Sequence, residues 1–257
     1  MSFATARGGV VEKARLGYLL TQEPPSAEAV AVLVADQRSD GGWPASWAHG
    51  ASSLDATCFR LAQAVQIGIT AEEPAIARAL TFLAQRQRSD GSWEEEVQRA
   101  VAPFWVKPGD QAATLYLTAN SGFWLAVLAR PSAGALLAAG YLAACLSSDG
   151  HLPSFLHTHW LAGGLWWRLG QYERAEGVFR YLRKRLTADV AASNLGWLVN
   201  ALHAVGVPSS HPLIEAAASL LERHQRADGS WPSEDGPDYD VHSTLEATRA
   251  LRLCGRF

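Results

Sequence analysis

The residues best suited to acid–base chemistry lie in an acidic segment near the carboxyl end of the chain. Asp238, Asp240 and His242 follow one another at a spacing of two. Histidine is the side chain that most readily gains or loses a proton near neutral pH, and a neighbouring carboxylate can orient its ring. We therefore take His242 as the candidate acid/base group, with Asp238 and Asp240 assisting it.

The same segment also has a structural interpretation, because residues 240–254 are predicted to form a helix. Asp240 or Ser243 can cap the start of this helix, and Ser243-x-x-Glu246 has the spacing of a capping box. The positive end of a helix also disfavours imidazolium, so we expect His242 to be neutral. A neutral histidine serves better as a base than as a proton donor to a carbon–carbon double bond. Catalysis and capping both stand as interpretations.

Two further aspartates, Asp55 and Asp110, open other predicted helices, and capping is the expected role of both. His157 and His159 lie at a third helix start. Two histidines at this spacing hold a metal only with additional ligands, so we predict no metal site and expect both rings to line a cavity.

Aromatic and amide side chains on otherwise apolar helices are candidates for contact with a hydrophobic substrate. Aromatic faces shape apolar pockets and stabilise cations, and a buried asparagine needs a hydrogen-bonding partner. The candidate substrate-contacting residues are Trp105, Tyr116, Asn120, Trp124, His157, His159, Trp160, Trp166, Trp167, Asn194 and Trp197.

The elements that position these residues follow from an internal repeat. A turn of the pattern Gln-x-x-Asp-Gly-x-Trp occurs at 37–43, 87–93 and 225–231, and a degenerate copy occupies 146–152. Glycine suits a left-handed helix end, the glutamine can reach free backbone groups, and the tryptophan can cover the junction. Repeats of this length indicate stacked helical hairpins.

Each repeat combines two kinds of helix. Helices that lead into the turn are amphipathic, as at 172–187 and 211–226, and Pro74, Pro131 and Pro212 mark helix starts of this kind. Helices that follow the turn are apolar almost all round and must be covered on every side. They are predicted at 9–21, 54–68, 111–130, 155–170, 190–206 and 240–254. Six inner and five outer helices are close to a closed α/α toroid of six hairpins that lacks one outer helix and encloses a central cavity.

Composition excludes several classes of partner. The 257 residues carry a net charge of −3 and no basic run, so we expect no nucleic acid partner. Residues 111–129 are uncharged but too polar for a predicted membrane span. Three scattered cysteines and no export signal are typical of a cytoplasmic protein. The segments 93–109 and 230–239 are long for a compact domain, and long loops are often functional.

The repeated turns resemble the QW motifs of the squalene-hopene cyclases, the oxidosqualene cyclases and related class II terpene cyclases, which share an α/α toroid with protein prenyltransferase subunits. The resemblance covers nearly the whole chain. The acid motif of that family, Asp-x-Asp-Asp-Thr, finds its best match at Asp240–Thr244. There His242 replaces the proton-donating aspartate, which puts ordinary proton-initiated cyclisation in doubt. The metal-binding motifs of the ionising terpene synthases and of the prenyltransferases find no match.

The sequence thus predicts one all-α toroid domain over residues 1–257, of the terpenoid cyclase and prenyltransferase superfamily. We expect a cyclase or isomerase of natural-product biosynthesis that folds a hydrophobic isoprenoid or polyketide-like chain in an aromatic cavity. No metal or organic cofactor is implied, and a homodimer is an open expectation. A non-catalytic binding or scaffold domain that lost the acid motif, or a prenyltransferase, are the alternatives.

Overall fold

The computed structural model describes residues 2–48, 50–129 and 132–257. Twelve α-helices occur in these ranges, with one two-residue antiparallel ladder between β1 (Trp43–Pro44) and β2 (Ser52–Ser53). Six helices form an inner ring: α2 (Val10–Thr21), α4 (Leu54–Gln66), α6 (Gln111–Leu128), α8 (Leu156–Arg168), α10 (Ala192–Ala204) and α12 (Asp240–Leu253). The others lie outside them: α1 (Ser2–Arg7), α3 (Ala27–Val34), α5 (Pro74–Gln85), α7 (Ala133–Ala144), α9 (Tyr172–Arg183) and α11 (Pro212–Arg223).

The inner ring closes on itself. Each inner helix packs against the next along the chain, and α12 packs against α2. The predicted all-α toroid is confirmed, and the inner helices begin and end within two residues of the predicted bounds. The sixth outer position differs from the expectation, because the short α1 packs against α2 and α12 there.

The repeated turns join the outer helices to the inner ring as their residue types predict. Gly41, Gly91, Gly150 and Gly229 all have φ between +81° and +92°. Two glutamines reach across to the next outer helix, since Gln37 donates to the carbonyl of Ala75 at 2.7 Å and Gln87 to that of Gly134 at 2.9 Å. Each of these amides also donates to the glycine of its own turn, Gly41 or Gly91, so the repeat glutamine ties the turn to the start of the next outer helix.

The tryptophans of the three intact turns are almost completely buried. The indole N–H groups of Trp93 and Trp231 donate to Leu83 and Leu221, which lie in the preceding outer helix. Trp43 donates to Ala35 in the same way. Their structural role is thus established by packing and by hydrogen bonding. Pro74 and Pro212 open α5 and α11 as predicted, whereas Pro131 lies outside the described residues.

Candidate active site

One hydrogen bond sets the register of the inner helices against the repeated turns. The backbone N–H of each turn tryptophan donates to a buried threonine on the inner helix that follows. The bonds are Trp43 to Thr57 at 3.0 Å, Trp93 to Thr118 at 3.1 Å and Trp231 to Thr244 at 3.1 Å. In the degenerate copy, Leu152 replaces the tryptophan and donates to Nε2 of His159 at 3.1 Å.

The residue two positions before each of these acceptors points the other way. Positions two residues apart in an α-helix are separated by about 200° around its axis. Because each acceptor faces the turn, the residue two positions earlier lies on the opposite, inner side of the helix. The four residues at this position are Asp55, Tyr116, His157 and His242. Four inner helices therefore present titratable side chains to the centre at one equivalent level.

Asp55 is held by two donors on neighbouring elements. The hydroxyl of Tyr116 donates to its Oδ1 at 2.5 Å, and the indole N–H of Trp105 donates to its Oδ2 at 3.2 Å. Asn120, one turn below Tyr116, donates to the tyrosine oxygen at 3.2 Å. Burial raises the pKa of Asp55 above its usual value, against the lowering effect of the Tyr116 and Trp105 hydrogen bonds. Asp55 thus keeps a proton to higher pH than an exposed aspartate.

The expectation that Asp55 caps its helix is wrong. Ser53 is the N-cap residue of α4 and accepts from the N–H of Ala56 at 3.1 Å. The carboxylate of Glu95, from the long segment after Trp93, accepts from the N–H groups of Leu54 and Asp55. Because other groups satisfy the helix start, the side chain of Asp55 is free to face the centre. Asp110, by contrast, caps α6 as predicted.

The inner side of the ring is partly accessible one turn from Asp55. Phe59 lies one turn further along α4 and remains 47% exposed, although its ring meets that of His242 on α12 at 5.4 Å. Asp55 is itself only partly covered. The carboxyl group therefore lies close to an accessible apolar side chain.

Aromatic rings surround His157, which lies on the same inner side of the ring. Tyr116 meets its imidazole edge-on at 4.5 Å, and Trp197 stacks on it at 5.3 Å. Trp160 packs edge-on against both His157 and Trp197. Within the described part of the chain, Nε2 of His157 and Nε1 of Trp160 are buried without hydrogen-bond partners. Burial lowers the pKa of His157 to about 3, so the ring is neutral.

A charged network occupies another part of the centre. Arg15 on α2 donates to Glu246 on α12 at 2.5 Å and to Gln66 on α4 at 2.7 Å. Gln66 and Asn200 donate to the same carboxylate, at 2.7 and 2.6 Å. We call Arg15, Gln66, Asn200, His242 and Glu246 the central polar network. It ties four inner helices together through one buried carboxylate.

His242 belongs to this network and not to the acidic segment that precedes it. Its Nδ1 lies 3.0 Å from a guanidinium nitrogen of Arg15, so Nδ1 is the acceptor and carries no proton. Burial and the charge of Arg15 lower the pKa of His242 to about 4, against the raising effect of Glu246. The expected neutral state of His242 agrees with both observations.

The predicted assistance from Asp238 and Asp240 is not present. Asp240 is buried and accepts from Arg226 and from the N–H of Ser233. Its carboxylate therefore holds the loop before α12 in place. Asp238 is exposed to solvent in a short 3-10 helix at 237–239. The predicted capping box is also wrong, because Glu246 turns inward to Arg15. His242 and Glu246 therefore face Arg15 at the centre and not Asp238 or Asp240.

Several predicted cavity residues face the outer ring instead. Trp166 donates to Ala139 of α7 at 3.2 Å, and Trp167 packs against Tyr172 and Phe179 of α9. His159 accepts from Leu152 and stacks on Tyr181 at 4.8 Å. These three residues are part of the packing between the two rings.

The other candidates lie toward the centre or its rim. Asn194 donates to Glu234 at 2.8 Å, which links α10 to the loop before α12. Trp124 follows Tyr116 and Asn120 at four-residue intervals on α6 and is buried against Phe123. A role for Trp124 in substrate contact stays a prediction.

Arg15 and Glu95 were not predicted from the sequence, and Glu246 and Asp55 were both expected to act at helix starts, which is wrong. One signal was available for Asp55. The segments 53–57 and 240–244 align when Thr57 is matched with Thr244, and Asp55 then stands at the position of His242. In segment 53–57, the acid position of the family motif is therefore filled by an aspartate. Arg15 and Glu95 carry no local pattern that marks them.

Among the described residues, no cluster of three or more histidine, cysteine, aspartate or glutamate side chains is arranged to hold a metal ion. Nor does any helix in the described ranges combine the length and apolar character needed to cross a membrane.

Comparison with known proteins agrees with this geometry. Residues 6–146, more than half of the chain, match the family model of the squalene-hopene cyclase C-terminal domain. This segment includes Asp55, Glu95 and Tyr116 but not His242. No curated protein sequence matches the chain.

Solved structures resemble the fold over almost its whole length. A protein from Actinoplanes is 22% identical, with a TM-score of 0.61 over 96% of this chain and 90% of its own. The type II terpene cyclase MstE from Scytonema, with its product merosterolic acid A, is 17% identical, with a TM-score of 0.62 over 96% and 87%. A form of MstE with its substrate geranylgeranyl dihydroxybenzoate, also 17% identical, has a TM-score of 0.61 over 96% and 88%.

The repeated turns, the closed double ring and the matched family model agree with one another. The chain belongs to the squalene-hopene cyclase C-terminal domain family.

Proposed function

We propose that this protein is a protonation-initiated cyclase of a hydrophobic isoprenoid chain, with Asp55 as the acid. The observation that carries the proposal is the position of Asp55. It faces the inner side of the ring, its pKa is raised by burial, and Tyr116 and Trp105 orient its two oxygens. A carboxyl group that stays protonated inside an apolar site is a stronger proton donor than a neutral histidine.

The reaction is balanced without a cofactor. The Asp55 proton moves to one carbon of a terminal carbon–carbon double bond, so a C–H bond forms and the π bond breaks. The cation left on the other carbon is attacked by the next double bond, which closes a ring. Loss of a proton from the last cation restores a double bond, and the Asp55 carboxylate regains a proton. The net change is an isomerisation.

The aromatic rings beside Asp55 support a cationic pathway. Tyr116, Trp160 and Trp197 surround His157, and the faces of such rings attract positive charge. Of these rings, Trp197 stays partly exposed and offers an apolar face to a hydrophobic chain. MstE, which has a similar fold, has been solved with a geranylgeranyl-bearing substrate, so a prenylated aromatic acid is the first compound to assay.

His242 is the rival acid. Its Nδ1 is occupied by Arg15, and its pKa of about 4 leaves it neutral at pH 7. The neutral ring can position a substrate oxygen or assist a hydroxyl, but alkene protonation needs a charged imidazolium. The two candidate acids can be distinguished by replacing each side chain in turn.

The test is turnover of a panel of linear isoprenoids that includes geranylgeranyl dihydroxybenzoate. Asp55→Asn keeps the size and the hydrogen-bonding oxygen but removes the acid, and we expect a loss of at least about 1,000-fold in kcat. His242→Ala serves as the comparison and should retain cyclisation. If Asp55→Asn is active and His242→Ala is inactive, His242 is the acid. If wild-type protein binds the panel without converting any member, the non-catalytic binding domain is the correct interpretation.

A further inference from the structure

The acid of this site sits where a helix would normally oppose its protonation. Asp55 is the second residue of α4. The free N–H groups and the dipole at a helix start stabilise negative charge, and an aspartate there usually ionises easily. A proton donor at this position needs a neighbouring group that offsets this stabilisation of its anion.

Glu95 is such a group. Its Oε2 accepts from the N–H of Leu54 at 3.0 Å, and its Oε1 accepts from the N–H of Asp55 at 3.2 Å and from the hydroxyl of Ser53 at 2.6 Å. Ser53 in turn accepts from Ala56. The first three N–H groups of α4 are therefore all taken, and none is left to bind the carboxylate of Asp55.

We propose that Glu95 is a positioning residue that carries the negative charge at the start of α4 and thereby keeps the proton on Asp55. This inference rests on the proposed function of Asp55 as the acid. Glu95 is 4% exposed and comes from the segment 93–109, outside the helix that it caps. It reaches α4 from a loop and touches the acid only through the backbone.

The charge distribution around the pair favours this arrangement. Burial raises the pKa of Glu95 to about 7, against the three hydrogen bonds that lower it. Two carboxyl groups at one helix start cannot both ionise at low cost, so the pair retains a proton near neutral pH. We assign the negative charge to Glu95 because it accepts the N–H groups at the positive end of α4, whereas the donors to Asp55 are side chains of other elements.

The other titratable groups that face Asp55 are Cys58 on α4 and Tyr116 on α6. The pKa of each is raised chiefly by burial. Both are therefore neutral at pH 7, so Glu95 is the group whose charge can act on Asp55 among those named here. Removal of that charge should release the proton from Asp55 at lower pH.

The test is a direct titration of Asp55 in the full chain without substrate. Aspartate labelled with 13C in the carboxyl group gives the pKa of Asp55 by NMR, and Asp55→Asn identifies its signal. In Glu95→Gln, which keeps an accepting oxygen but has no charge, we expect the pKa of Asp55 to fall by about 1 unit. Glu96→Gln is the matched control, since the Glu96 side chain is 67% exposed and pairs with Arg86.

An unchanged or higher pKa of Asp55 in Glu95→Gln overturns the inference. Should that variant not fold, Ser53→Ala removes one donor to Glu95, shifts the proton toward Glu95 and must lower the pKa of Asp55 in the same direction. The titration is independent of turnover. If Asp55→Asn still cyclises substrate, the proposed function fails whatever the titration shows. If Asp55→Asn is inactive but the pKa of Asp55 is unchanged in Glu95→Gln, only the role of Glu95 is contradicted.

Discussion

Asp55 on α4 and His242 on α12 occupy the same register position, two residues before the threonine that accepts the backbone N–H of the turn tryptophan. One repeat places a carboxyl group there and another an imidazole. Asp55 is bonded to neutral donors, Tyr116 and Trp105, while His242 is bonded to the cation Arg15. Equivalent backbone positions thus carry a carboxyl group with a raised pKa and a neutral imidazole.

The pH dependence of activity should follow Asp55. A raised pKa means that the protonated, active form persists above the usual range of an aspartate and is lost as pH rises through the folded-state value. We expect kcat/KM to be level at low pH and to fall tenfold per unit above that pKa. A pH–rate profile measures this directly. A profile that rises with pH would require a deprotonated acid–base group instead.

Tyr116→Phe should weaken the acid without removing it. The hydroxyl of Tyr116 donates to Asp55 at 2.5 Å, and this bond both orients the carboxyl group and stabilises its anion after proton transfer. We expect kcat to fall by about 10- to 100-fold while the pKa of Asp55 rises, because a donor to its charged form is lost. Kinetics and 13C titration report the two effects. Tyr141→Phe, on the outer helix α7, is the control.

Glu246→Gln should destabilise the fold. The carboxylate accepts from Arg15, Gln66 and Asn200, and both Arg15 and Glu246 are almost fully buried. Removal of one partner leaves a buried guanidinium unpaired, which costs about 3 kcal/mol. Urea denaturation measures the change in the free energy of unfolding.

The double variant Arg15→Met/Glu246→Gln provides the control for that experiment. It removes both charges, while the amide at position 246 can still accept from Gln66 and Asn200, so it should recover part of the loss. An equally large loss in the double variant would contradict the charge explanation and indicate a packing effect.

Thr244→Val should test the bond that sets the register. Its hydroxyl accepts from the backbone N–H of Trp231 at 3.1 Å, and both residues are buried. Valine has a similar shape but leaves that N–H unsatisfied, so we expect a loss of about 1–3 kcal/mol in the free energy of unfolding. Thr81→Val on the exposed side of α5 should have little effect. A neutral result at Thr244 would mean that the bond does not hold the turn in place.

The fold was largely predictable because its determinants are local. The Asp-Gly turn and the change from amphipathic to wholly apolar helices repeat along the chain, and each can be recognised within about 20 residues. The bounds of α4 and α12 were close for this reason. Trp160, Trp166 and Trp167 show the limit, because α8 is apolar on every side and its sequence pattern does not separate its inner face from its outer face.

The site was less predictable because its partners come from distant segments. An aspartate at a helix start usually caps that helix, but at α4 that role is taken by Ser53 and by Glu95, which lies 40 residues after Asp55. His242 was assigned to Asp238 and Asp240 by proximity in sequence, whereas its real partner, Arg15, lies 227 residues away. Local spacing identified the right level of the ring but not the contacts that distinguish Asp55 from His242 at that level.

Solvent deuterium provides the most direct test of Asp55 as the proton donor. The account predicts that wild-type protein in D2O converts a linear isoprenoid of the panel to a cyclic product with one deuterium at the carbon that was protonated. It predicts the same product from His242→Ala and none from Asp55→Asn. Deuterated cyclic product from Asp55→Asn at the wild-type rate, or cyclic product without deuterium from the wild type, would contradict it.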